Sequence, residues 1–179
     1  DRQIMLFFLC LTVQKIMRER GLTCKCLRCR EIGHQKSSIR QPVDQVVSCK
    51  LFVDEYEASG GKEYFLSFED EGRNVVYAFC RFRIPSSQPN ALFPNINDVA
   101  FIRELHTYGA LTSVGEDARS ERGEVQHTGL GKKLMHMAEE IARELARTIM
   151  AVIAGGGVRD YYRHLGYTLL GTYMVKKLT

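Results

Sequence analysis

A glycine-containing loop is the part of this sequence whose residue types and spacing point most directly to chemistry. Gln126, Gly129 and Gly131 have the spacing Q-x-x-G-x-G and stand just before a long stretch of helical periodicity. The first N–H groups of a helix have no partner within the helix and its dipole favours an anion, so such a loop can hold a pyrophosphate. The same glycines are also ordinary at the entry of a helix.

Two common phosphate-binding loops are excluded by the residues around this one. A dinucleotide-binding loop has three glycines in G-x-G-x-x-G, whereas Gln126 occupies the first glycine position here. A Walker loop needs the string G-K-[ST], which does not occur in the sequence. What remains is a pyrophosphate-binding loop of a different class.

Three cysteines form a second candidate site. Cys24, Cys26 and Cys29 fall within six positions in the pattern C-x-C-x-x-C, and the other three cysteines are scattered. Such close spacing suits a metal better than a disulfide framework, and three thiolates suit tetrahedral zinc with a fourth ligand from elsewhere. An iron-sulfur site and fortuitous crowding remain alternatives. The cluster favours a reducing, cytoplasmic compartment.

Two adjacent tyrosines, Tyr161 and Tyr162, form a third candidate site near the C-terminal end. A phenol beside a reacting group can donate a proton to a departing atom. Most tyrosines are instead amphipathic side chains at the edge of a core, and both interpretations apply to this pair.

The elements that must position these residues follow from hydrophobic periodicity and turn signals. Helices are predicted for residues 12–20 with Gly21 as the C-cap, from Pro42 to Tyr56 before Ser59-Gly60-Gly61, and for residues 129–147 and 158–165. Strands are predicted for residues 63–68 and 74–84 as a hairpin around Asp70-Glu71-Gly72, and for residues 99–108, 149–154 and 167–175.

Composition places the chain among folded proteins with one domain and an appendage. Its 179 residues are 45% hydrophobic, and the formal charge of +4 is a modest basic excess. The apolar run from Ile4 to Leu11 is far shorter than the ~20 residues of a membrane span, so no membrane association is predicted. Because no initiator Met precedes this run, we expect a fragment of a longer protein.

The order of elements around the glycine loop resembles that of the GNAT acetyltransferases: strand, Q/R-x-x-G-x-G/A loop, long helix, strand, short helix with aromatic residues, strand. The resemblance implies an α/β (α+β) fold, with a mixed, mostly antiparallel sheet flanked by helices. It also implies acetyl-CoA as cofactor, whose pantetheine arm would lie between two splayed parallel strands, here Val99 to Thr107 and Ile149 to Ala154.

The GNAT resemblance also implies roles for individual residues. Main-chain groups that would face the pantetheine arm belong to Glu104, Leu105, His106 and Thr107. Loop residues that would bind the pyrophosphate, with Lys132 or Lys133 adding a cation, are Val125, Gln126, His127, Gly129, Gly131 and Lys132. Tyr162 would donate a proton to the departing thiolate, and Tyr161 would form a wall of the cofactor pocket. His106 and His127 are assigned to binding rather than to general base catalysis.

Longer strings resemble the catalytic subunit of Elongator more closely than a generic GNAT enzyme. They extend from about Gln14 to the end of the chain and include YEASGGKE from Tyr56, IRELHTYG from Ile102 and YYRHLGY from Tyr161. That family joins a radical S-adenosylmethionine domain to an acetyltransferase domain and carboxymethylates C5 of the wobble uridine of tRNA. The resemblance implies an acyltransferase that binds acetyl-CoA and releases its acetyl unit when tRNA binds.

The Elongator resemblance bears on partners and metal as well. No C-x-x-x-C-x-x-C motif occurs, so the iron-sulfur cluster and S-adenosylmethionine are expected only in a missing N-terminal half. That half, other Elongator-like subunits and tRNA are the expected partners. The cysteine motif resembles the zinc site of prokaryotic members, with His34, Cys49 or His106 as candidate fourth ligand. Basic residues that would contact tRNA phosphates, or form a solvated face, include Lys15, Arg18, Arg20, Lys25, Arg28, Arg30, Lys36 and Arg40.

One domain preceded by a linker is therefore expected. Residues 1–41 would form a helical, cysteine-rich, zinc-binding linker, and residues 42–179 the GNAT domain. Two other functions stay open: a generic GNAT N-acetyltransferase acting on a protein lysine or a small amine, and a non-catalytic remnant that binds acetyl-CoA.

Overall fold

A computed structural model describes residues 12–13, 15–17, 19–34, 49–86, 99–108 and 129–178. No helix within these ranges is long and apolar enough to cross a membrane. The expected boundary between linker and acetyltransferase domain, at residues 41 and 42, lies outside them.

Within the described ranges, seven strands form one sheet in the order β1-β2-β3-β4-β5-β7-β6. The strands are β1 (Lys50–Glu57), β2 (Gly61–Glu69), β3 (Val76–Pro85), β4 (Val99–Thr107), β5 (Ile149–Ile153), β6 (Thr168–Leu170) and β7 (Tyr173–Lys177). The helices are α1 (Leu27–Arg30), α2 (Leu130–Glu144) and α3 (Arg159–His164). Since β4 and β5 are parallel and the other neighbours antiparallel, the predicted mixed, mostly antiparallel fold class is confirmed.

The core lies between α2 and one face of the sheet. On α2, Leu134, Ala138 and Ala142 recur at four-residue steps and are fully buried, as expected for the apolar stripe of an amphipathic helix. Alternate residues of β3 join the same core, and Cys80 and Phe82 are also fully buried. The predicted long helix is confirmed, although it ends at Glu144 rather than at residue 147.

The helix predicted from Pro42 to Tyr56 is wrong for every residue of that stretch that forms a regular element here. Residues 50–57 form the edge strand β1, which is antiparallel to β2. Ser59 and Gly60, predicted to stop a helix, both have positive φ values of 49° and 68° and form the two-residue turn of the β1–β2 hairpin. Residues 42–48 lie outside the described ranges.

Two other turns refine the predicted strands. The predicted turn after β2 is confirmed, because the Asp70 carboxylate accepts hydrogen bonds from the backbone N–H groups of Asn74 and Val75 at 2.7 and 2.6 Å. The single strand predicted for residues 167–175 is instead the β6–β7 hairpin, and Gly171 in its turn has a φ of 60°.

A helical segment precedes the cysteines, and its predicted C-cap is confirmed. Residues 12–13, 15–17 and 19 are helical. Gly21 has a φ of 66°, and the N–H of Leu22 donates to the carbonyl of Met17 at 2.8 Å, which is the hydrogen bond of a Schellman cap. This cap turns the chain directly into the cysteine-containing segment.

Candidate functional site

A gap between the two parallel strands forms the centre of the site. β4 pairs with β5 only from Val99 to Ile102, opposite residues 149–152, yet β4 continues to Thr107. At the divergence the pairing of β4 with β3 skips Arg103, which is the extra residue of a β-bulge. Within the described residues, the edge of β4 after Ile102 therefore has no β5 partner and can accept an extended ligand as an added strand.

Three residues predicted to face the cofactor through their backbones lie along this gap. Leu105 packs against the core, whereas the side chains of Glu104 and His106 lie on the opposite face of the sheet. Glu104 accepts a hydrogen bond from Arg81 at 3.2 Å, and the ring of His106 stacks on Phe79 with centroids 5.1 Å apart. Only the backbones of these residues can face the gap, which fits the assignment of His106 to binding.

The N-terminus of α2 opens beside the gap. Gly129 has a φ of 98°, in the left-handed region that glycine tolerates, and its carbonyl accepts the first helical hydrogen bond, from Lys133 N–H, at 2.8 Å. The N–H groups of residues 130–132 thus have no partner within the helix, as at other helix N-termini that bind anions. The side chain of Lys132 is exposed at this end. Val125, Gln126 and His127 lie outside the described residues.

Gly131 marks the point where three elements converge. A Cβ atom added at Gly131 would lie 2.8 Å from the Tyr161 hydroxyl of α3 and 3.3 Å from Thr107 Cγ2 at the end of β4. The sequence predicts that glycine is present at both positions so that phosphates can approach the main chain. That reason fits Gly129, where a Cβ would meet nothing within 4 Å. For Gly131 the contact with Tyr161 is an additional reason.

Of the two tyrosines of α3, Tyr161 lies at this convergence through its contact with Gly131, and Tyr162 lies beside Tyr161. Their rings meet edge to face with centroids 5.2 Å apart, and Tyr162 is only 6% exposed. Burial raises the pKa of each phenol to about 12, so that both carry their protons at neutral pH. The Tyr161 hydroxyl is buried and has no hydrogen-bond partner among the described residues. A donor left in this state fits a site that a ligand completes.

The cysteine cluster is confirmed as a group of potential metal ligands. The sulfur atoms of Cys24, Cys26 and Cys29 all lie within 4.8 Å of one another. Burial acts to raise the pKa of Cys26, but hydrogen bonds, chiefly from the Cys29 backbone, outweigh it and lower the pKa, which favours the thiolate that a metal binds. In the part of the chain that the structure describes, this group includes neither Cys49 nor His106 of the candidate fourth ligands, and the side chain of His34 lies outside that part.

No residue of α1 itself is buried, and the cysteine segment is attached to the sheet by polar contacts together with the packing of Ile32 against the core. The Arg30 guanidinium donates to Glu69 Oε2 at 2.6 Å and to the Arg73 carbonyl at 3.1 Å. Glu69 is fully buried and also accepts a hydrogen bond from Ser67 at 2.7 Å. Arg73 in turn binds Asp54 on β1. The predicted contact of Arg30 with tRNA phosphate is not supported, because its guanidinium is used within the fold.

Sequence reasoning missed a second buried carboxylate, Glu139, in the middle of α2. It is 4% exposed and binds Tyr167 and Lys176. The available signal was a glutamate beside Ala138, within the apolar stripe of the predicted helix. Tyr167 ends the string YYRHLGY that resembles Elongator, but it had no assigned role.

Comparison with known proteins identifies the relatives of this chain. No protein-family model matches it. It is 40% identical over 170 residues to the tRNA uridine(34) acetyltransferase of Methanocaldococcus jannaschii, covering 93% of this chain and 30% of that protein. It is 39% identical over 163 residues to human Elongator complex protein 3, covering 90% of this chain and 28% of that protein.

A solved structure agrees with these matches. The archaeal Methanocaldococcus infernus Elp3 with an N-terminal deletion superposes with a TM-score of 0.74 at 40% identity, covering 93% of this chain and 38% of that one. The chain thus spans about a third of the length of the relatives it matches. It is homologous over that third to the Elongator-type tRNA uridine(34) acetyltransferases, and the resemblance found in its motifs is confirmed.

Proposed function

We propose that the chain is the acetyl-CoA-dependent acyltransferase part of an enzyme that carboxymethylates C5 of the wobble uridine of tRNA. It would bind acetyl-CoA and release the acetyl unit when tRNA binds. The observation that carries the proposal is the convergence of the β4–β5 gap, the N-terminus of α2 and the buried Tyr161 hydroxyl. The substrate follows from the relatives, which are named for uridine 34 of tRNA.

The chain's own groups fit both ends of the cofactor. The free edge of β4, from Glu104 to Thr107, offers alternating backbone donors and acceptors to the amides of a pantetheine arm. The N–H groups at the start of α2, with Lys132, would hold the pyrophosphate, together with Val125, Gln126 and His127 of the preceding loop. Acetyl-CoA bound there supplies the acetyl group as an activated thioester.

Tyr162 is the proposed proton donor to the departing thiolate, and Tyr161 the wall that orients the reacting group. A phenol with a pKa of about 12 is a weaker acid than an ordinary thiol, whose pKa is roughly 8.5. Tyr162 would therefore act mainly by a hydrogen bond to the developing negative charge, which is worth most in a water-excluded site. Burial of the phenol keeps that proton available over the whole neutral range.

The cysteine segment is proposed to hold structural zinc. Three thiolates from Cys24, Cys26 and Cys29 leave one tetrahedral position for a fourth ligand. In this proposal residues 1–41 form the linker and residues 42–179 the acetyltransferase domain of a cytoplasmic enzyme. A radical S-adenosylmethionine domain and other Elongator-like subunits would supply what this chain lacks. Zinc is tested by elemental analysis of the purified chain: about one zinc per chain is expected, and Cys26→Ser should lower it.

The experiment that tests the proposed function is acetyl-CoA hydrolysis with and without tRNA, with free CoA separated from acetyl-CoA by chromatography. We expect tRNA to stimulate hydrolysis and Tyr162→Phe to abolish the stimulation. Tyr56→Phe is the matched control, because that exposed tyrosine lies on the edge strand β1, which β2 and β3 separate from β4 and the gap.

Each other outcome selects a different function. Hydrolysis that ignores tRNA but is accelerated by small amines would indicate a generic N-acetyltransferase. Cofactor binding without any turnover would indicate a non-catalytic remnant. Absence of acetyl-CoA binding in calorimetry would overturn the proposal.

A further inference from the structure

A buried ionic triad lies behind the two tyrosines. Glu139 Oε1 accepts hydrogen bonds from the Tyr167 hydroxyl at 2.8 Å and from Lys176 Nζ at 2.9 Å, and Oε2 accepts a second bond from the same ammonium at 2.9 Å. Arg143 reaches Oε2 only at 3.5 Å and is partly exposed. A buried carboxylate is costly unless it is paired and hydrogen-bonded, and this triad meets both conditions. Glu139 in the middle of α2 is thus joined to Lys176 on β7 and to Tyr167, which lies between α3 and β6.

A row of aromatic contacts links the triad to the cofactor gap. The ring of Tyr167 meets Tyr162 edge to face with centroids 6.0 Å apart, and Tyr162 meets Tyr161 in the same way at 5.2 Å. At the far end, the Tyr161 hydroxyl lies against Gly131 in the first turn of α2. Helix α2 therefore holds both ends of the tyrosine row, through Gly131 at one end and Glu139 at the other.

Helix α3 cannot set the position of this row alone. It has six residues, far fewer than an isolated helix needs to be stable in water. After its C-cap Leu165 comes Gly166, whose φ of 86° turns the chain so that the ring of Tyr167 meets that of Tyr162. Burial, followed by the negative charge of Glu139, raises the pKa of Tyr167, so its hydroxyl remains a donor to Glu139 across the physiological range.

We infer that Glu139, acting through Tyr167 and Lys176, is a positioning residue that fixes Tyr162 and Tyr161 at the cofactor gap. This inference rests on the proposed function for its catalytic consequence. It assigns Glu139 no contact with acetyl-CoA, since its carboxylate is occupied by Tyr167 and Lys176. Its effect should consequently appear in turnover rather than in cofactor affinity.

Glu139→Gln and Lys176→Met test the inference in the hydrolysis assay, with rates expressed per folded molecule. We expect kcat to fall by about 10- to 100-fold while KM for acetyl-CoA stays within about threefold, because a small misplacement of the donor affects the reacting step. Lys176→Arg, which keeps a cationic donor, should restore most of kcat. The matched control is Glu140→Gln, the next residue of α2, whose side chain is 46% exposed and pairs only with exposed His136 among the described residues.

A second readout separates this inference from the proposed function. The chain has no tryptophan, so its near-ultraviolet circular dichroism reports largely on tyrosines held in fixed surroundings. Glu139→Gln should weaken that signal while leaving the far-ultraviolet spectrum unchanged. Wild-type protein without turnover would defeat the proposed function, yet this comparison would still test the positioning role. Unchanged near-ultraviolet spectra, or an unchanged kcat in active protein, would overturn the inference.

Discussion

Of the three buried carboxylates among the described residues, Glu69 and Glu139 make a useful pair, because they differ in what they join. Glu69 connects the cysteine segment to the first hairpins through Arg30, Arg73 and Ser67. Glu139 connects α2 to Tyr167 and Lys176 in the half of the fold that contains the cofactor gap. The first holds a segment whose helix α1 buries no residue, whereas the second lies within the apolar core. A buried, hydrogen-bonded carboxylate thus attaches the cysteine segment in the case of Glu69, and in the case of Glu139 we infer that it aligns the tyrosines.

Among the tests of this difference between the two carboxylates, the largest expected effect is on the free energy of unfolding. Glu69→Ala removes the common acceptor of Arg30, Arg73 and Ser67 and leaves their donors partly buried without it. We expect a loss of about 3–5 kcal/mol in the free energy of unfolding, measured by urea denaturation. Folded molecules should keep their turnover of acetyl-CoA, unlike Glu139→Gln in the cofactor half, which should lower kcat. A loss below about 1 kcal/mol would show that the network contributes little.

A smaller effect is expected when only the linker is released. Arg30→Ala removes a charged hydrogen bond worth about 1.5–3 kcal/mol, and this should open the cysteine segment locally rather than unfold the sheet. Limited proteolysis between residues 21 and 34 should become about tenfold faster or more. An equal change in the cleavage of the sheet would contradict local opening.

The cofactor half should respond to alkaline pH. The pKa of both Tyr161 and Tyr162 is raised by burial from 10.0 to about 12, so the protonated phenols are favoured in the folded state. Their contribution to stability is complete below pH 10 and is lost as the pH rises towards about 12. Urea denaturation at pH 8 and above pH 10 should show this decline. In Tyr162→Phe the decline should be shallower, and parallel slopes would refute the assignment.

The smallest effect is expected at the surface of the linker. Arg28 Nη1 lies 3.4 Å from Glu31 Oε2, and the Arg28 side chain is half-exposed. Arg28→Ala should change the free energy of unfolding by less than about 1 kcal/mol and leave linker proteolysis unaltered. It is therefore the matched control for Arg30→Ala. A change as large as that caused by Arg30→Ala would indicate instead that the overall charge of the linker attaches it to the sheet.

Local patterns in the sequence predicted the parts of the fold that depend on local interactions. The periodicity of α2, the cap at Gly21 and the turn at Asp70 are each specified within a few residues, and the structure agrees with them. The β1 strand was mistaken for a helix because apolar spacing in a short stretch does not distinguish an edge strand from a helix turn. Its partner strand, and the turn at Ser59 and Gly60, decide the conformation.

The site was predicted in part for the same reason. The glycine loop, the cysteine cluster and the tyrosine pair are contiguous in the chain and could be recognised there. The ties that support them are not contiguous: Arg30 and Glu69 are 39 positions apart, and Glu139 and Lys176 are 37 apart. Only the folded chain brings these partners together, so neither carboxylate could be assigned from spacing.

The complete burial of Cys80 has a practical consequence for these measurements. Burial raises the pKa of this thiol strongly, so in the folded state it is almost entirely protonated and shielded from reagents. The cysteines of the linker, by contrast, are partly or fully accessible. In zinc-free protein, a thiol-alkylating reagent should therefore label the linker quickly and Cys80 only when the core opens. The rate at which Cys80 is labelled, followed by mass spectrometry of its peptide, would therefore report the rate of global unfolding.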